Sequence, residues 1–331
     1  MKNTISLTLC IFSLSVLLGL FAGYQFLGDS QDYFNYSNFF DTVRNTDHYF
    51  DIESRFEPAF TFCTFFWSRF VSNDAIIYSF IIIPFIFIKF HAIKRDLFSP
   101  TILLLFIYYF ITRYFPLYEM TQLRAACALS LVFFVFYNRS STKIYYQDII
   151  LLILAMLFHY SSSIFLLIYL IKPISRSSII LMPIIFFIFT YFLNKLFFTI
   201  LSNYLIQIKD YAIIAKQYSI IDPATLLPIP YLVDISFFII ALIYFKSADI
   251  AMRYAILGFF ISTALHFAFI NYAVLAIRYR ELLSIFILIY TLRAINNPSQ
   301  ILRKISIFYI LLTGLMYIYN NFFYSPLFSF Q

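Results

Sequence analysis

Long apolar runs separated by short polar stretches recur along the whole chain. They lie near Ile5–Leu27, Ala75–Phe90, Pro100–Tyr114, Gln122–Tyr137, Ile149–Ile171, Ile179–Leu196, Pro230–Phe245, Ile250–Ile270, Glu281–Leu292 and Ile305–Tyr319. A helix of ~20 apolar residues crosses a bilayer core, so runs of this kind read as membrane spans. In lipid the backbone must satisfy its own hydrogen bonds, which leaves only helices or closed barrels. The ~10-residue alternation of a barrel strand is missing. The pattern predicts an all-α integral membrane protein of about 10–11 transmembrane helices, forming a single polytopic domain over residues 1–331.

Two stretches do not read as spans. The first, from Gly28 to about Asp74, carries seven acids up to Glu57 and then the aromatic run FEPAFTFCTFFWSRFVSN. That run is too short to cross and suits an interfacial or re-entrant helix, with Pro58 at its first position. The second, about 197–229, mixes Lys209, Asp210, Lys216 and Asp222 with apolar residues and reads as an amphipathic lid. Within Ile149–Ile171 the sequence His159-Tyr160-Ser161-Ser162-Ser163 predicts a helix break. Two halves of about eleven residues give only ~17 Å of helix each, so the turn falls inside the membrane thickness, where a break is tolerated only beside a cavity. The amino-terminal run exceeds the ~7–15 residues of a signal-peptide core and has no small-x-small site, so it reads as an uncleaved first span.

Composition agrees with the pattern. Of 331 residues 62% are hydrophobic and 12% charged, with a mean hydropathy of +0.85. The net charge of +7 is better explained by basic cytoplasmic loops than by nucleic-acid binding. With the amino terminus inside, Lys2, Lys89, Lys94, Arg95, Arg139, Lys143, Lys172, Arg176, Lys246, Arg253, Arg293, Arg303 and Lys304 fall on the inner face, with only Asp96, Asp148 and Asp249 among the acids. Cys10, Cys63 and Cys127 show no paired or metal-ligand spacing, so neither disulfides nor a metal centre is expected.

Charged groups at membrane depth are costly and usually face a cavity, which makes them the candidate site. Arg113, Glu119 and Arg124 surround one predicted outer turn, Arg278, Arg280 and Glu281 another, His159 sits at the helix break, and Asp29 and Asp32 follow the first span. Guanidinium forks bind diphosphate oxygens in pairs and keep their charge when desolvated. Arg124, Arg278 and Arg280 are therefore candidates to hold a lipid diphosphate, and Asp32 or His159 to take a proton from an attacking sugar hydroxyl. No nucleotide fingerprint occurs and Gly numbers only 5, so no cofactor is expected and the reaction's energy must arrive in the substrate. A polyprenyl-diphosphate sugar meets that need.

The order DSQDYFNYSNFF, FEPAFTFCTFF, TQLRAACALS, LFHYSSSIFLL and AIRYRELL resembles the EpsG-like branch of the Wzy-type bacterial polysaccharide polymerases. One departure is Ala125, where that family favours glutamine after the arginine. The resemblance implies polymerisation of undecaprenyl-diphosphate-linked oligosaccharide repeats into O-antigen, capsule or exopolysaccharide. It further implies a multi-pass protein of the bacterial inner membrane with its site on the periplasmic face, membrane lipid around it and a chain-length regulator as a possible partner. The layout of the acidic first loop is similar to that of polyprenyl-donor membrane glycosyltransferases, in which Asp29 or Asp32 would be the base. Simpler readings stand beside each candidate. Arg113 and Arg124 can snorkel or pair with Glu119, Arg278 and Arg280 can anchor at the interface, His159 can be a packing residue, and Glu57 a helix N-terminal charge. A flippase for the lipid-linked sugar and a membrane O-acyltransferase are the competing activities.

Overall fold

A computed structural model of the chain describes residues 2–30, 32–94, 96, 99–173, 175–200, 228–270, 273–324 and 327–329. The fold is all-α, apart from a two-residue ladder pairing β1 (Asp29–Ser30) with β2 (Phe328–Ser329). Among the described residues, five stretches are long and apolar enough to span a bilayer: Ser6–Gly23, Asp74–Ala92, Thr101–Glu119, Ile250–Ala268 and Gln300–Tyr324. Shorter apolar helices cover Leu123–Tyr137, Tyr146–Phe158, Tyr160–Leu170, Arg176–Phe192 and Ile229–Ile243. These follow the apolar runs of the sequence closely. The predicted second outer stretch lies almost wholly outside the described residues.

The described residues form two contact units. The first comprises 1–138, 144–166 and 307–331. In it α1 (Lys2–Gly23) lies along α4 (Asp74–Ala92), and two glycines one turn apart allow the approach. A Cβ at Gly19 would meet Ile83, and one at Gly23 would meet the Ala75 carbonyl and the Ser79 hydroxyl. Small residues at this spacing let two spans pack backbone to backbone. On the other side α4 packs against α6 (Leu123–Tyr137), whose Ala125, Ala126, Cys127 and Ala128 are all buried. The loop between α1 and α4 holds α2 (Tyr33–Arg44) and α3 (Pro58–Ser68), knotted together by Phe39, Phe56, Phe60 and Tyr36. The Phe39 and Phe56 rings meet edge to face at 4.5 Å, a favourable aromatic geometry. As expected, Pro58 opens α3.

The chain after α5 (Pro100–Tyr109) continues as a π-helix over Phe110–Glu119, with Pro116 inside it. Proline has no N–H to give and crowds the preceding turn, which favours the wider winding. The break predicted at His159 is present. α7 (Tyr146–Phe158) ends there, His159 is extended (φ −157, ψ 106), and one 3-10 turn leads into α8 (Ser163–Leu170).

The second unit comprises 139–143 and 167–306. It contains α9 (Arg176–Ile200), α10 (Ile229–Ile243), α11 (Ile250–Ala268), α12 (Ala273–Leu283) and α13 (Ile285–Ile295). α11 packs against α9, α12 and α13, and the rings of Phe238 and Phe259 stack at 4.0 Å. Buried Arg139 lies 3.6 Å from the Tyr169 ring centroid and 4.6 Å from that of Tyr254. The AIRYRELL segment, expected at the mouth of a span, is part of the continuous helix α12. The last long helix, α14 (Gln300–Tyr319), continues as a π turn over Asn320–Tyr324.

Candidate functional site

Glu57 occupies the N-cap of α3 with an extended backbone (φ −69, ψ 151). Its neighbour Phe56 is fixed in the aromatic knot, and the carboxylate turns inward, with the residue only 4% exposed. Three elements converge on it. Arg124, in the first turn of α6, donates from Nη1 to Oε2 at 2.5 Å. The Tyr160 backbone N–H donates to Oε1 at 3.2 Å. His159 Nδ1 lies 3.3 Å from the same oxygen, at ion-pair range though not aligned as a hydrogen bond.

Each contact has a physical cause. A cation in the first turn of a helix opposes the helix dipole, so Arg124 needs a nearby anion, and Glu57 supplies it. The break at His159 frees the following N–H from helical pairing, and the same carboxylate accepts it. The Arg124 guanidinium also lies 4.7 Å over the Phe56 ring and bonds to the Tyr36 hydroxyl. Its Nε is buried with no hydrogen-bond partner, as is the Ser162 hydroxyl in the neighbouring 3-10 turn.

Electrostatics follow from this packing. Burial works to raise the Glu57 carboxyl, but the His159 imidazole and the Arg124 guanidinium override it and hold it at about 2. Glu57 is therefore an anion at neutral pH and a weak proton acceptor. Burial pushes the Tyr36 phenol up to about 12 although Arg124 works to lower it; Asp32 adds to the rise. Asp32 caps α2, where its backbone carbonyl accepts the Tyr36 N–H at 3.2 Å, so the acid sits one helical turn from the cluster.

The structure thus brings Arg124, His159 and Glu57 together, with Asp32 beside them through Tyr36. Other candidates lie elsewhere. Arg124 does not pair with Glu119; that carboxylate meets Lys89 instead, and both side chains are buried. Lys89 is accordingly a charge inside the helix bundle, not an inner-face anchor. The Tyr78 hydroxyl donates to the Glu119 carbonyl at 3.0 Å, eleven positions before Lys89 on α4. Arg113 is enclosed by tyrosines: Nη1 donates to the Tyr109 hydroxyl at 2.6 Å and to that of Tyr309 at 3.2 Å, and the Tyr317 ring centroid is 4.2 Å away. Asp29 belongs to the β1 ladder and lines a separate recess. Arg278 and Arg280 stand on α12 of the second unit, Arg278 exposed and Arg280 5.1 Å from the Tyr231 ring centroid. The sequence reading missed Tyr36 and the Lys89–Glu119 pair. Tyr36 was detectable four positions after Asp32, on the face of α2 that buries Phe39 and Phe40.

This arrangement provides a guanidinium for oxyanions and an imidazole within ion-pair range of an ionised carboxylate. Among the described residues, no three His, Cys, Asp or Glu side chains gather as a metal-binding group. No curated protein and no solved structure matches the chain. The profile of the EpsG family matches residues 8–331, a span that includes every member of the cluster. The chain belongs to the EpsG family of EpsG/Wzy-like, polysaccharide-polymerase-type proteins.

Proposed function

We propose that the protein is a membrane glycosyltransferase that polymerises oligosaccharide repeats carried on undecaprenyl diphosphate, at the periplasmic face of a bacterial inner membrane. The observation that carries this reading is the single carboxylate of Glu57 joining Arg124 and His159 across three helices. In the reaction an acceptor sugar hydroxyl attacks the anomeric carbon of the lipid-linked donor. The new C–O bond forms as the bond to the diphosphate oxygen breaks, and polyprenyl diphosphate leaves with the bonding pair.

His159 takes the hydroxyl proton. Glu57 at Nδ1 fixes the ring and stabilises the imidazolium that forms, leaving Nε2 as the accepting atom. With its carboxyl held at about 2, Glu57 cannot serve efficiently as the base, because a useful base titrates near the working pH. It is a positioning residue. Arg124 holds the leaving diphosphate, and its unpartnered Nε supports an additional contact to a phosphate oxygen. Asp32 is a candidate for orienting the acceptor through its position before α2.

Arg124→Ala and His159→Ala in a strain lacking the native gene test the assignment. The expected result is loss of polymer with single repeats still exported on the lipid, while the variant proteins accumulate normally. Normal long chains would overturn the assignment. Loss of all exported repeats would point instead to a flippase, and unchanged chain length with altered acylation to an O-acyltransferase.

A further inference from the structure

A polar concavity shares α2 with the Glu57 cluster. It has a volume of about 490 Å³ and is lined by residues from the end of α1, the β1 ladder, α2 and the start of α4. Asp29, Tyr33, Arg44, Asn73 and Asp74 line it. This volume falls within the ~300–1,000 Å³ of small-ligand sites, but the lining is polar where such sites are usually apolar.

The walls are built rather than incidental. Arg44 donates from Nη1 to Asp74 at 2.6 Å and to the Ser72 carbonyl, and from Nη2 to Asp41; the Ser37 hydroxyl also donates to Asp74. The guanidinium charge is thereby spent on two carboxylates, so the recess offers no strong anion site. Gln25, also in the lining, holds a left-handed backbone (φ 50), rare for a residue with a side chain. Its amide donates to the Ala22 carbonyl at 2.7 Å and the Met120 carbonyl at 3.0 Å and accepts the Ser30 N–H at 3.0 Å. A conformation costing ~1–3 kcal/mol persists only where surrounding structure enforces it, often beside a ligand. Burial, then Asp74 and Asp29, push the Tyr33 phenol up to about 12, which keeps it a neutral hydrogen-bonding group.

The recess adjoins the cluster through α2. Tyr33 lines the recess and Tyr36 bonds Arg124 from the same helix. Both rings pack on Tyr78, each with centroids 6.0 Å apart. Aromatic faces, carboxylates and amides without a free cation match the hydroxyls and apolar faces of uncharged or amino sugars, not a phosphate. We propose that this recess binds sugar residues of the glycan substrate, separately from the diphosphate that Arg124 holds. The inference rests on the polymerase reading above.

The test uses full-length protein in detergent micelles and a fluorescently labelled single repeat unit, released from the host strain's own surface polysaccharide and free of lipid and phosphate. The wild type should bind it saturably. Asp29→Ala and Tyr33→Ala should each weaken binding by about tenfold, whereas Arg124→Ala should leave it within about twofold. Inorganic diphosphate should not compete. No binding to the wild type, equal binding by both recess variants, or equal loss in Arg124→Ala would overturn the proposal. Asp29 is exposed, so its variant tests the recess without disturbing a buried core. The parent reading fails separately: if Arg124→Ala cells still make long chains while the purified protein binds the probe at the recess, glycan binding stands and polymerisation does not.

Discussion

Replacing Glu57 by glutamine keeps the shape of the site and removes its charge. In the wild type the carboxyl falls from 4.5 to about 2 on folding. At 1.36 kcal/mol per pKa unit this is about 3 kcal/mol of preference for the anion over the neutral form. Because the folded value is depressed, the stabilisation is fully present above the unfolded pKa and is lost as pH falls through the folded one. Glu57→Gln should therefore lower unfolding free energy by about 3 kcal/mol above pH 5, and the difference should shrink to about half by pH 3. Thermal or denaturant unfolding of the purified protein in detergent, compared at pH 7, 4 and 3, measures both parts. The same variant should lose about a hundredfold in polymerisation rate, since Arg124 and His159 lose their common anchor. Equal stability of the two proteins at pH 7, or a gap that stays constant in acid, would refute the electrostatic reasoning.

Three further outcomes are expected. Lys89→Met leaves the Glu119 carboxylate buried without its partner and should destabilise by about 3–5 kcal/mol, while the double replacement Lys89→Met with Glu119→Leu should recover most of the loss in the same unfolding assay. Gly23→Ala drives a methyl into the Ala75 carbonyl and Ser79, and should cost about 1–3 kcal/mol by forcing α1 away from α4. Arg124→Lys keeps the charge but cannot reach Glu57 and Tyr36 together while lying over Phe56; polymer yield per molecule of protein, read from labelled glycan on a gel, should fall by at least about tenfold.

Much of the fold was legible because lipid leaves the backbone few choices. Each apolar run of the sequence corresponds to a helix, and the His159 break is where the polar HYSSS cluster interrupts one. The Glu57–Pro58 helix start was equally plain, since proline suits the first helical position. Side-chain partnership was not. Arg124 has Glu119 as its neighbour in sequence, yet Lys89 reaches that carboxylate from another helix and Arg124 takes Glu57 from a loop. Ion-pair choice depends on which helices pack, and apolar periodicity is nearly silent when a helix is hydrophobic all round. The AIRYRELL arginines read as the mouth of a span because charges punctuate apolar sequence there, and the segment is helical throughout because Arg, Glu and Leu all extend a helix readily.

The central claim is glycosyl transfer from a diphosphate-linked repeat, with Arg124 and His159 acting together. Its most direct measurement is the product of purified protein in lipid nanodiscs supplied with polyprenyl-diphosphate-linked single repeats and nothing else. The expected products are chains of several repeats and one polyprenyl diphosphate released per new glycosidic bond, with neither product from His159→Ala or Arg124→Ala. Intact single repeats after incubation with folded wild-type protein, or chain growth undiminished in both variants, would contradict it.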